Sequence, residues 1–279
     1  MCYIKIVFLL FFICLFTVAG ASASVFKGYT ETDGTGEYQY ALFGSYPTED
    51  DGAEQPVLWR ILGPGTPQAE DIICYSNYPP RKWVKQSNGD NWAEDNKDAF
   101  CFMTEYILDM ALYHEKRDTE ENPLDYDHSE MYRTLNGPFL SRLFTPEEQS
   151  VLIMMPRRGR LSLPSRKGEL FRNDYGFPSE DFVVSKMRRA KGTPYAYKQG
   201  LKRISGYSWY FTTDWRRFGA RWIVGDNGHI SVSGVDRRGG VRPICYVHTD
   251  RLVIKSGTGT LEEPFVLVPR TDQANDASR

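Results

Sequence analysis

Twenty-four glycines and sixteen prolines punctuate the 279 residues. Between them long stretches of helical periodicity are few, which directs the chain toward a loop-rich fold built on short strands. Tyr38-Gln39-Tyr40-Ala41-Leu42-Phe43 and Val57-Leu58-Trp59-Arg60-Ile61-Leu62 read as strands. The link between them carries Pro47, Asp51 and Gly52, so a hairpin is expected. Asp71-Ile72-Ile73-Cys74-Tyr75 is a third candidate strand. Ser129 stands where a helix cap belongs, ahead of Met131, Leu135, Phe139, Leu140 and Leu143 at helix-like spacing, and Gly137-Pro138 divides that segment into two short helices. Thr145-Pro146-Glu147-Glu148 spells a capping box with proline at the first helical position.

Beyond Tyr207 the pattern changes to short β segments. Arg221 to Val224 and His229 to Val232 flank Gly225-Asp226-Asn227-Gly228, whose Asn-Gly pair predicts a two-residue hairpin turn. A further turn at Arg237 to Gly240 precedes a strand over Val241 to Val247, so a three-strand meander is expected at this end.

At the other end, Lys5 precedes an uninterrupted apolar run from Ile6 to Val18 that closes on Ala21-Ser22-Ala23, the pattern of a cleaved secretory leader. The run is short of the roughly 20 residues that a bilayer core requires. The mature chain is expected to start near Ser24, to have no transmembrane segment, and to be long enough for one substantial core. The net charge of −2, with both signs spread along the chain, argues against a nucleic-acid partner. Cys74, Cys101 and Cys245 remain after the leader, and an odd number permits at most one bridge. Cys74 with Cys101 is the candidate pair; Cys245, within Ile244-Cys245-Tyr246-Val247, reads as a buried thiol.

The chain has no nucleophile elbow, zinc-protease helix, phosphate loop or dinucleotide fingerprint, and its four histidines lack metal-ligand spacing. No cofactor or metal is expected. The oxygen-rich run Asp90, Asn91, Glu94, Asp95, Asn96 and Asp98 reads as a solvated loop. The most suggestive constellation interleaves Trp209, Tyr210, Trp215 and Trp222 with Asp214, Arg216 and Arg217. Aromatic faces stack on sugar rings or apolar side chains, and neighbouring charges fix polar groups. With Asp226, Asn227, Arg237 and Arg238 from the adjoining turns these residues form the expected ligand-binding set, although strand alternation turns some of the rings inward.

The ordered series Phe43-Gly44-Ser45-Tyr46-Pro47, Pro56 to Leu62, Ser129 to Gly137, Phe144 to Glu148, Tyr175-Gly176-Phe177, Arg189 to Ala196 and Gly240-Val241-Arg242-Pro243 resembles the bacterial domain of unknown function 6273. The resemblance implies an exported or surface module of α+β class with a C-type-lectin-like fold, related to the formylglycine-generating enzymes. It casts Arg242 as a buried structural residue, beside a structural Trp59. The sequence departs from that family at Trp209-Tyr210-Phe211-Thr212-Thr213-Asp214, where an arginine is replaced. The organisation expected is a leader over 1–23, a module over 24–252, a C-terminal strand segment over 253–269 and a disordered tail over 270–279. The function expected is a non-catalytic module of the periplasm, cell surface or medium that recognises a glycan or a protein. An enzyme of wall polymers using Asp214, Asp226 and Asp236, or an envelope assembly protein, are the alternatives.

Overall fold

The computed structural model describes residues 25–26, 38–64, 74–76, 82–84, 99–115, 125–155, 157–165, 188–217 and 220–270. The expected leader, residues 71–73 of the third candidate strand, the 90–98 loop and the tail beyond 270 lie outside them.

Strands β1 (Gln39–Pro47) and β2 (Glu54–Pro64) pair antiparallel with Tyr40 opposite Arg60 and Ala41 opposite Trp59, the hairpin that their alternation predicts. They sit inside a six-stranded sheet of order β11-β5-β2-β1-β13-β12, made with β5 (Ala99–Thr104), β11 (Ile244–His248), β12 (Leu252–Ser256) and β13 (Phe265–Pro269). A second sheet has order β6-β10-β7-β8-β9, from β6 (Asp109–Leu112), β7 (Tyr210–Arg217), β8 (Ala220–Val224), β9 (Ile230–Gly234) and β10 (Arg238–Val241). Cys74–Ser76 (β3) and Lys82–Val84 (β4) form a separate ribbon. Mixed sheets with a few short helices make this an α+β fold.

Side chains alternate across a strand, so the large sheet has two differently furnished faces. Ala41, Phe43, Val57, Trp59, Ile61, Phe100, Phe102, Cys245, Val247, Phe265 and Leu267 share the main core. Leu62, Ala99, Cys101, Met103, Ile244 and Tyr246 lie on the other face with Tyr210 and Val224 of the second sheet. Trp59 is fully buried, donates its indole N–H to the Phe43 carbonyl at 2.7 Å and stacks on Phe144 at 5.9 Å. Phe26 packs its ring 5.7 Å from both Phe100 and Phe265, which ties the N-terminal end of the described chain to the sheet.

Helices α1 (Glu130–Thr134), α2 (Leu140–Leu143), α3 (Pro146–Gln149) and α4 (Pro194–Lys198) are short because each is capped or broken at once. Ser129 Oγ accepts from the Tyr132 N–H, and the capping box at Thr145 is complete on both sides. Between α1 and α2 the chain makes a wide turn over Leu135–Phe139 with Gly137 outside helical geometry, as its Gly-Pro pair predicts. Asn136 latches this turn to the loop beyond α3. Its Oδ1 accepts from the Arg160 and Leu161 amides at 2.8 and 3.1 Å, and its Nδ2 donates to the Leu161 carbonyl at 2.9 Å. Gly159 lies against that amide at φ +77°, where any Cβ would collide with it.

Two expectations are corrected. The meander does not form: β10 leaves β9, crosses β7 and β8, and pairs in parallel with β7 and antiparallel with β6. The β8–β9 turn is three residues long, not two. Gly225 N–H bonds to the His229 carbonyl and Gly228 N–H to the Gly225 carbonyl, with only Gly228, at φ +80°, in the left-handed region. That is a type I turn closed by a glycine bulge, which spares Asn227 the positive φ that a two-residue turn demands. Within the segment 253–269, β13 pairs in parallel with β1, and Phe265 and Leu267 are core residues. The candidate Cys74–Cys101 pair lies only partly within the described residues: Cys101 is buried, and the side chain of Cys74 lies outside them. Cys101 and Cys245 belong to opposite faces of the sheet, so alternation keeps their side chains apart. Burial alone pushes the Cys245 thiol far up, which makes it inert.

Candidate functional site

The ligand-binding set predicted from the second sheet divides in space. Asp226 and Asn227 occupy the β8–β9 turn, whereas Arg237 and Arg238 lie at the β9–β10 turn. The five residues of β9 between them span about 16 Å at 3.3 Å per residue. The end of β7 that carries Trp215 and Arg217 belongs with the second group, because Ala220 pairs with Gly234. Trp222 takes the register position opposite Val232, which is exposed. The side chains of Asp214, Trp215, Arg216, Arg217 and Trp222 lie outside the described residues.

Two of the predicted rings pack into the fold. Tyr210 is fully buried: its hydroxyl donates to the Arg188 carbonyl at 2.8 Å and accepts from Arg242 Nη1 at 3.1 Å. Trp209 is half-buried against Gly239 and meets Phe211 edge-on at 5.2 Å. Asp226 and Asp236 flank β9 at opposite ends, farther apart than the roughly 5–9.5 Å of a carboxylate pair that cleaves a glycosidic bond. Arg238 is exposed and donates to the Met110 carbonyl at 3.0 Å, bracing β10 to β6.

A different cluster has the composition of a recognition surface. Arg60 of β2 pairs with Glu105, just past β5, through two parallel bonds: Nε to Oε2, and Nη2 to Oε1 at 2.7 Å. Three tyrosines frame the pair. Arg60 lies 5.1 Å from the Tyr38 ring centroid, Tyr38 meets Tyr40 edge-on at 6.5 Å, and Tyr106 follows Glu105 with 37 % of its surface exposed. Strand geometry assembles them. Tyr38, just before β1, and Tyr40 within it meet edge-on, Tyr40 lies opposite Arg60, and the Glu105 N–H is held by the Leu58 carbonyl at 2.9 Å.

Arg242 sets the rear wall. It is fully buried, and its Nε and Nη2 donate to the Thr104 and Glu105 carbonyls at 2.8 and 3.4 Å. Nη1 reaches the Arg188 carbonyl at 3.2 Å and the Tyr210 hydroxyl at 3.1 Å, so one guanidinium joins the strand behind Glu105 to the start of β7. Such planar donors suit several carbonyls at once.

The electrostatics follow from burial and from Glu105. Burial works against the Arg60 charge, but the hydrogen bond and charge of Glu105 outweigh it and hold the guanidinium protonated. Burial first, then the Glu105 charge, raises Tyr40 and Tyr106, so both phenols stay neutral at physiological pH. Burial also lowers the Arg188 guanidinium to about 10. The cluster therefore offers neutral hydroxyls, ring faces and a charge-paired carboxylate.

A second polar cluster, Asp125, Asp127 and His128, brings its ligand atoms within 4.8 Å of one another, yet Arg157 reaches both aspartates at 3.7 and 3.8 Å and supplies the positive charge there. No helix among the described residues is long and apolar enough to cross a membrane.

The tyrosine cluster was missed in the sequence because its halves lie far apart along the chain. The signal present was Arg60 alone at a strand position between buried Trp59 and Ile61, which alternation places beside Tyr38 and Tyr40 once the hairpin is drawn. No family model, no curated protein and no solved structure matches this chain.

Proposed function

We propose that this chain is an exported, non-catalytic binding module of the bacterial envelope or cell surface that recognises a glycan or protein ligand. The observation that carries the reading is the Arg60–Glu105 pair framed by Tyr38, Tyr40 and the half-open Tyr106 ring. Amphipathic tyrosines around a fixed polar pair provide contact area with little loss of side-chain entropy. Export rests on the leader-like first 23 residues, and the bacterial assignment on the resemblance to the domain of unknown function 6273. The C-type-lectin-like form of the α+β fold belongs to the same proposal. The ordered motifs support it, since Ser129, Asn136, Thr145 and Arg242 each fill a specific structural role.

The test is a screen of the protein, purified after export, against glycan and peptidoglycan-fragment arrays and against cross-linked envelope proteins. Tyr106→Ala runs beside it, since this exposed ring can be removed without opening the core. Capture by the parent that is lost in Tyr106→Ala supports the reading. Capture unchanged in that variant, or no capture of any ligand, removes it.

A further inference from the structure

We propose that Asn227 is a site of spontaneous deamidation, which converts the tip of the β8–β9 turn into an aspartate or isoaspartate over the life of the protein. The chemistry requires only water. The Gly228 backbone nitrogen attacks Asn227 Cγ, the N–Cγ bond forms as ammonia leaves, and the resulting cyclic imide takes up water at either carbonyl. The nitrogen's proton is lost to solvent base, so the reaction quickens as pH rises.

The turn favours each part of that step. Asn227 is exposed, and Gly228, although buried, puts no side chain between its nitrogen and Asn227 Cγ. Asn227 Oδ1 accepts from the His229 N–H at 3.0 Å, which folds the side chain forward along the chain toward the attacking nitrogen. The same donor stabilises negative charge that develops on Oδ1 as the tetrahedral centre forms. Gly228 N–H bonds to the Gly225 carbonyl at 2.9 Å, so attack requires the opening of this one bond within the three-residue turn, a local event rather than unfolding. Arg189, whose Nε donates to the Asn227 carbonyl at 3.0 Å, stands ready to pair with the carboxylate that forms.

Asn136-Gly137 is the built-in control. It has the same dipeptide, but its amide is clamped by the Arg160 and Leu161 amides and the Leu161 carbonyl, so Cγ is not available to the next nitrogen. In an exported protein the product is not renewed by the cell's interior. The added carboxylate beside Asp226 alters the charge of a turn that any ligand of this sheet end would meet.

The experiment is peptide mapping by mass spectrometry of the full processed protein, incubated folded at neutral and mildly alkaline pH, with a urea-unfolded sample in parallel. Expected is amide-to-acid conversion at Asn227 in the folded protein, within about tenfold of the unfolded rate and faster at the higher pH. Asn136 is expected to convert at least about 100-fold more slowly folded than unfolded, since a clamped amide reacts only from an opened state. Asn227→Asp supplies the chromatographic standard and shows whether the acid form folds. Asn227 that stays intact in the folded protein while it converts in urea overturns the proposal, as does equal conversion at Asn227 and Asn136.

Discussion

Arg60 and Arg142 both lie over tyrosine rings beside a carboxylate, and water treats them in opposite ways. Arg60 sits mid-strand with 11 % of its side chain exposed, bonded twice to Glu105. Arg142, near the end of α2, lies 5.3 and 5.9 Å from the Tyr46 and Tyr195 rings, has 46 % of its side chain exposed, and meets Glu54 at 3.5 Å. The residue types are alike, but the first pair has lost its solvent and the second has kept it. Two charges of a desolvated pair depend on each other, whereas an exposed pair exchanges one set of water contacts for another. The same composition can therefore specify a fixed surface at one place and a loosely held one at another.

The largest way to break this contrast is Glu105→Leu, which strands the Arg60 charge in a site that cannot hydrate it. Unfolding in urea is expected to show a loss of about 3–5 kcal/mol. A loss under about 1 kcal/mol would mean that Arg60 finds water or another partner and that the two clusters are alike. A smaller, pH-dependent effect belongs to Tyr46, whose hydroxyl donates to Asp109 Oδ2 at 2.7 Å. Burial, then the Asp109 charge, raises this phenol far above its ordinary value. The sign follows: the stability it contributes is whole below about pH 10 and drains as pH rises through the window above it, by about 1.4 kcal/mol per pH unit. Tyr46→Phe should flatten the alkaline arm of a stability-against-pH curve by that share; an unchanged slope contradicts the assignment. The smallest effect is expected for Arg142→Ala, about 0.2–1 kcal/mol and less in high salt. A cost equal to that of Glu105→Leu would erase the comparison.

How much of this was legible depended on how local the signal was. The β1–β2 hairpin, the caps at Ser129 and Thr145 and the break at Gly137-Pro138 are written within a few residues, where periodicity and capping chemistry act directly. The course of β10 is not, because its partners β6 and β7 are chosen by packing between distant segments, and the run Arg237 to Gly240 looks the same in either topology. Tyr210 reads as an aromatic in a ligand-like neighbourhood, but only the third dimension brings Arg242 and the Arg188 carbonyl to its hydroxyl. The candidate site failed to show for a like reason. Glu105 is 45 residues from Arg60, and nothing in either neighbourhood names the other. The aromatic-rich stretch drew attention instead, though its turns point away from one another along β9.

The central claim is that ligand meets this protein at the tyrosine-framed pair. It is tested most directly by NMR of the protein with labelled tyrosine and asparagine side chains, titrated with the pooled ligands of the array. The account predicts that Tyr106 and Tyr40 resonances move with a common saturation curve while Asn227 stays still. Shifts confined to Asn227, with Tyr106 and Tyr40 unmoved, would place recognition on the β8–β9 turn and contradict it.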